Sequence, residues 1–412
     1  MVDFDQDKMS AAKPPEGKSP VPESASRMPG VYARERILIA CVVLLLAMFA
    51  FTAFVARQYK RTLHQLGDQW FANGEAALKA GQTAAAISDY RNALVYKRDD
   101  ENFEFHLALA LAGAGRDEEA RSYLLTLLTE SPGSGSINLA LARIAVKQKR
   151  SSDAIPYYQK AIYGVWDTDP LAQRWKVRRE FCEYLLSQHD LGDAEPELIA
   201  LAQETPPTDA GRENIAGDLL LRASLWSRAL AAYRSALAVD HRDEDALAGA
   251  GRAAFKLAMY SDAAEYLQRL PATRRRTADV ADILALSQAA ATINALRPGL
   301  RASEGAKRAA KALSVAESRI SSCAKTRGET LPANPRATTP PTDLQNLYAT
   351  ARQNRQLWIE TNLAHHPDQV VAVMTFAVQA ERTASAECGP PQSIADRVLS
   401  LIATTVPRPP SE

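Results

Sequence analysis

Residues 67–100 read GDQWFANGEAALKAGQTAAAISDYRNALVYKRDD, and their spacing decides the fold. Numbered from Gly67, Trp70 stands at position 4, Gly74 at 8, Gly81 at 15, Ala86 at 20, Tyr90 at 24, and Ala93 and Leu94 at 27 and 28. Positions 8 and 20 carry the smallest side chains, which two helices need where their axes cross closely. Position 24 carries a large ring that can fill the layer between neighbouring units. A single match of this kind carries little weight, so its recurrence matters.

The pattern returns 34 residues later. From Glu101, Leu107, Ala108, Gly115, Ala120, Leu128 and Pro132 occupy positions 7, 8, 15, 20, 28 and 32. From Gly135, Leu141, Ala142, Ala154, Tyr158 and Ala161 occupy 7, 8, 20, 24 and 27. A short insertion follows around Asp167–Arg174, and the frame restarts at Trp175 with Phe181, Cys182, Ala194, Leu198 and Pro206. Frames at Ala210 (Gly217, Ala229, Tyr233, Ala236, Leu237) and Glu244 (Gly251, Ala263, Leu267, Leu270) complete the series. Proline at position 32 ends a second helix, because it cannot continue the backbone ladder.

This pattern resembles the tetratricopeptide repeat, a helix–turn–helix unit of 34 residues. Six units are expected, at 67–100, 101–134, 135–168, 175–208, 210–243 and 244–277. The resemblance implies an all-α chain whose repeats stack into a right-handed superhelical solenoid. It also implies a concave face lined by first helices, which in this family commonly holds a peptide or a partner helix. First-helix positions 2, 5, 9 and 12 tend to face that side, and 5, 9 and 12 are the ones assigned. In the first three units they read Phe71, Phe105 and Leu139, then Glu75, Leu109 and Arg143, then Leu78, Ala112 and Val146. Phe71, Glu75, Leu78, Phe105, Leu109, Leu139 and Arg143 are therefore the candidate partner-binding residues, an apolar floor edged by Glu75 and Arg143. Chaperone-binding members use Lys at 5 and Asn at 9 of the first unit, and Phe71 and Glu75 replace them. That specificity is not carried over. The same aromatics could instead pack against the preceding segment, 57–66.

Ahead of the repeats lies ILIACVVLLLAMFAFTAFVA, residues 37–56, twenty residues without a charge. At about 1.5 Å per residue it spans roughly 30 Å, the hydrocarbon thickness of a bilayer. We read it as a single-pass transmembrane helix. Cleavage after Ala53 or Ala56 would put Phe51 or Phe54 at the −3 position, where a small residue belongs, so the anchor is read as uncut. Arg34, Glu35 and Arg36 stand where a lipoprotein signal needs apolar residues, which argues against lipidation of Cys41. Residues 1–36 are balanced in charge and poor in large apolar side chains, and read as a disordered tail. Arg27, Arg34 and Arg36 on one flank nearly match Arg57, Lys60 and Arg61 on the other. The six basic residues of the tail would be unfavourable to translocate, which favours an N-terminus inside, with residues 57–412 outside, as in the periplasm of a bacterial inner-membrane protein.

Residues 278–412 read as a helical cap, with helices at 278–296, 301–325, 342–364, 368–387 and 392–404 and a proline-rich loop at 328–341. The chain carries no phosphate loop and no His spacing that would put two metal ligands on one helix face. No catalytic residue and no cofactor are assigned. The 49 basic and 48 acidic residues are balanced, so nucleic acid is not an expected partner. Two basic clusters, Arg274–Arg276 and Arg174–Arg179 around Trp175, fit helix faces with ion pairs such as Arg179–Glu183. Cys182 sits at a small position 8 and reads as a buried hydrophobe. Cys323 and Cys388 lie near the ends of two cap helices, and either pair in a disulfide or remain two separate thiols. The functional expectation is a membrane-anchored scaffold for protein–protein interaction, in assembly, chaperone-like or secretion-accessory work. Alternatives are a structural subunit held through the membrane helix and an enzyme with its site in the cap.

Overall fold

The structure, a computed structural model, describes residues 29–331 and 342–405. Among the described residues it is helical with no strand, and the chain divides into two compact units, Met1–Tyr123 and Leu124–Glu412.

The first unit opens with α1 (Pro29–Lys79), a continuous helix of 51 residues. Pro29 suits a first helical position, where no backbone donor is needed. No glycine or proline interrupts residues 31–66, so nothing stops the helix between the apolar run and the first repeat. The expected tail 1–36 is thus shortened: residues 29–36 are helical, and residues 1–28 lie outside the described residues. The apolar run and the first helix of the first repeat are also one helix, not two. Ile37 to Phe54 expose their large side chains around the whole circumference, Ile37 at 62% and Phe49 at 74%. The helix is long and apolar enough to cross a membrane, with mean hydropathy 2.9 over its best window. α2 (Thr83–Tyr96) packs back on α1, and α3 (Glu101–Gly113) follows. Asp100 caps α3 by accepting from the Phe103 amide. A Cβ on Gly74 would lie 2.7 Å from the Tyr90 ring, so only glycine lets that ring lie against α1.

α4 (Asp117–Glu130) contains the boundary between the units. The second unit continues with α5 (Gly135–Lys147), α6 (Ser151–Ile162), α7 (Pro170–Ser187) and α8 (Leu191–Glu204). Then come α9 (Ala210–Arg222), α10 (Trp226–Val239), α11 (Glu244–Lys256) and α12 (Tyr260–Gln268). α7 starts five residues ahead of the expected frame at Trp175. Asp169 caps it and Pro170 begins it, so much of the expected insertion is helix. Just ahead of it, Val165 pairs with Gly133 and Gly135, and Trp166 covers Gly135 so closely that a Cβ there would sit 2.3 Å from the indole.

One backbone device recurs at the turn inside each helix pair. Gly81, Gly115, Lys149, His189, Ser224 and Ala258 all have positive φ, between 57° and 78°. Each turn closes with the same two hydrogen bonds, as in Ser224 N–H to Leu221 C=O and Leu225 N–H to Leu220 C=O. This is the left-handed helix stop that satisfies the last free carbonyls. A helix therefore ends and its partner starts within about three residues, which fixes the antiparallel pair.

The helices from α5 to α12 share one apolar core, and a second core gathers the chain from Tyr260 to Ala403. The second holds α14 (Ala278–Ile293), which follows the short α13 (Ala272–Arg275). It also holds α15 (Ala302–Arg327), α16 (Asp343–Gln353), α17 (Glu360–Leu363), α18 (Pro367–Cys388) and α19 (Ile394–Thr405). The single helix expected at 342–364 is corrected: it stops at Gln353 and resumes as the short α17. The break lets Trp358 turn inward beside Phe376, ring centroids 5.2 Å apart, and donate to Gln369. Of the expected loop 328–341, residues 332–341 lie outside the described residues. Arg397 on α19 holds Asp282 on α14 through two bonds of 2.6 Å. Cys323 on α15 and Cys388 at the end of α18 are paired as a disulfide, with Cα atoms 5.7 Å apart.

Candidate partner-binding surface of the repeats

In the first unit, Phe71 does not form an open floor. Its ring stacks on Phe103 at 4.6 Å, lies 5.4 Å from Tyr90 and meets His106 edge-on at 5.0 Å. The groove assignment of Phe71 is corrected on that ground: the ring is spent inside the helix layer. Its partners are Phe103, Tyr90 and His106, and not the segment 57–66. Glu75 accepts a 2.6 Å hydrogen bond from the Tyr90 hydroxyl and lies 3.8 Å from His106 Nε2. Burial, with the Glu75 carboxylate next, pushes the Tyr90 hydroxyl well above its ordinary range, so it stays a donor. Leu78 and Phe105 are half-buried, with Phe105 edge-on to His106 at 5.8 Å. Leu109 is exposed at 38%.

Leu139 and Arg143 belong to the second unit. Leu139 is half-buried against the core, and Arg143 is exposed but held. It donates to both oxygens of Glu180 at 2.8 and 2.6 Å, and the Tyr158 hydroxyl donates to the same carboxylate at 3.0 Å. Burial pushes the Glu180 carboxyl up, but the guanidinium and hydroxyl outweigh it and leave it below the usual carboxylate range. In the basic cluster around Trp175 only Arg178 turns fully inward, and Lys176 stays exposed. Arg178 is 2% exposed and pairs with Glu197 and Glu204, while Arg179 pairs with Glu183 at 3.6 Å. In the second basic cluster Arg274 pairs with Glu244 and Asp245. Cys182 is fully buried, and burial pushes its thiol up to about 12.

Residues 49–173 match the family described as the tetratricopeptide repeat. Over that stretch the chain is similar to tetratricopeptide repeats. No curated protein matches the chain in sequence. Among solved structures, Pseudomonas aeruginosa PilF is 16% identical, over 54% of this chain and 99% of its own, with a TM-score of 0.39. PilW, a type IV pilus biogenesis factor, is 16% identical over 53% and 99%, with a TM-score of 0.38. YrrB, a tetratricopeptide protein with an unusual peptide-binding site, is 16% identical over 44% and 89%, with a TM-score of 0.34.

Counted in tetratricopeptide positions, a contact emerges that spacing alone did not single out. Tyr90 and Tyr233, both at position 24, donate at 2.6 Å to Glu75 and Asp218, both at position 9. A carboxylate followed 15 residues later by tyrosine was the available signal. In the third repeat Arg143 replaces the acid at position 9, and Tyr158 turns to Glu180, the carboxylate that Arg143 also holds. Among the described residues no group of three or more His, Cys, Asp or Glu side chains is placed to hold a metal ion.

Proposed function

We propose that this chain is a membrane-anchored tetratricopeptide scaffold that binds a protein partner, in assembly, chaperone-like or secretion-accessory work. The observation that carries the reading is the unbroken α1, which is apolar on every side over residues 37–56 and then becomes the first helix of the repeats. An exposed band of that kind has no place in water and matches the bilayer in length. The Cys323–Cys388 pair supports an orientation with residues 57–412 outside the cytoplasm, since disulfides persist in oxidising compartments.

Leu109 is the contact proposed for the partner, with Phe105 beside it. A photo-crosslinking residue at Leu109 in the full chain, expressed in cells, is expected to give a discrete adduct with another protein. The same probe at Arg222, exposed at the end of α9, serves as the control. Adducts at Arg222 alone, or at neither position, would overturn the assignment. Protease added to intact spheroplasts tests the orientation: digestion of the repeats is expected, and full protection until the membrane is opened would reverse it.

A further inference from the structure

We propose that the first turns of α1 beyond the apolar run form a binding face for anionic phospholipid head groups. This rests on the reading of residues 37–56 as the membrane anchor. Arg57, Lys60, Arg61 and His64 follow that run at helical spacings of three and four, so all four fall within about 100° of one helix face. All are exposed, and among the described residues none makes an ion pair. In the repeats Arg91, Arg116, Arg143, Arg178 and Arg252 each have an acid beside them, whereas these four are grouped on one face without one. Residues 57–67 contain no acid at all. The first acid on the same face, Asp68, is held by Lys97 at 2.6 Å.

Position supplies the second argument. The first fully buried residue of α1 is Gly67, against Tyr96 and Lys97. From Ala56 the helix rises roughly 2 Å to Arg57 and roughly 12 Å to His64, which carries the four side chains through the head-group layer to just beyond it, within about two Debye lengths at physiological salt. Because α1 has no break in this interval, the basic face cannot swing away from the surface. The chemistry that matches three permanent cations and an imidazole at that depth is a lipid phosphate carrying net negative charge. A neutral zwitterionic head group offers no net attraction.

The test uses the full chain reconstituted in phosphatidylcholine vesicles that contain a trace of spin-labelled phosphatidylglycerol or spin-labelled phosphatidylcholine. The expected result is that the motionally restricted lipid around the protein favours phosphatidylglycerol by about five-fold or more. The preference should fall towards parity in the variant R57Q/K60Q/R61Q and at high salt. R34Q/R36Q on the other flank should retain most of it. Parity in the unaltered chain, or a preference lost only in R34Q/R36Q, would overturn the proposal while leaving the anchor in place. A chain that fails to float with the vesicles would overturn the anchor reading, and this proposal with it.

Discussion

Glycine and alanine exchanges at the left-handed turn residues should move stability in opposite directions at chemically similar sites. Gly81 and Gly115 have φ of 74° and 78°, and a Cβ at either position would meet nothing within 4 Å. The cost of G81A or G115A is therefore backbone strain alone. A non-glycine residue in this region costs roughly 1–2 kcal/mol. Losing glycine's freedom in the unfolded chain returns about 0.4–1 kcal/mol. The net expectation is a loss of about 1 kcal/mol each. Lys149, His189 and Ser224 occupy the same turn at φ of 57°, 58° and 62°, with exposed side chains. K149G, H189G and S224G should each gain about 1 kcal/mol by the reverse argument. Ala258 should gain less, because its methyl group packs against the second core. Repeat arrays need not unfold in one step, so a single midpoint is a poor readout. Native-state hydrogen exchange at the amides that close the turns, Arg150, Asp190 and Leu225, reads each site separately. Protection should rise about five-fold at the turn altered. Neutral G81A and G115A together with reduced protection in S224G would refute the reasoning.

Three further outcomes follow. The Glu213 carboxyl is 6% exposed, and burial, with Asp209 next, pushes it up to about 7. A carboxyl raised from 4.5 contributes most below that value, and its contribution declines as pH rises to about 7 and is flat above. E213Q should therefore stabilise the chain by about 1–3 kcal/mol at pH 8 and by little at pH 4, as urea titrations at the two pH values would show. The Tyr233 ring lies between Gly217 and Gly249, where an added Cβ would come within 2.8 and 2.2 Å of it. G249A should cost more than G217A, each about 1–3 kcal/mol or more, and Y233L should relieve part of both in double-mutant cycles. Removing the Cys323–Cys388 bond by C323S/C388S opens a link across 65 residues and should cost up to about 4 kcal/mol in the chain-entropy picture. Intact-mass measurement after alkylation without reductant checks the bond itself: labelling of both thiols in native material would sink it.

What could be read in advance was steric. Gly74, Ala108, Ala142, Cys182, Gly217 and Gly251 occupy places where two helices cross, and small size leaves a plain trace in sequence. The turn residue was half visible. Gly81 and Gly115 declare a left-handed backbone, but Lys149, His189, Ser224 and Ala258 adopt it under the pull of the two helices they join. Tertiary demand also hid the break after Gln353. No glycine or proline stands between Thr342 and His366, so local preference favours one helix there. The buried Trp358 explains why the chain abandons it. Likewise position 5 placed Phe71 on a face of α1 without revealing that Phe103 stacks on it.

Position 9 carries the remaining consequence for recognition. In the six frames expected from the sequence it holds Glu75, Leu109, Arg143, Glu183, Asp218 and Arg252. Each charged member is engaged within the chain: Glu75 by Tyr90, Arg143 by Glu180, Glu183 by Arg179, Asp218 by Tyr233 and Arg252 by Asp279. A partner that recognised any of these charges would first have to displace a hydrogen bond or ion pair already made, and would gain only the difference. Charge at position 9 is therefore a poor handle, and a carboxylate-clamping chemistry has no free cation there to work with. Leu109 is the exception, apolar and exposed, so contact with it displaces only water. On this argument L109S should reduce partner capture at a stability cost of about 1–2 kcal/mol, since the side chain is only 38% exposed and the covered part loses its apolar contacts. Unchanged capture in L109S would mean that recognition does not use this first-helix position.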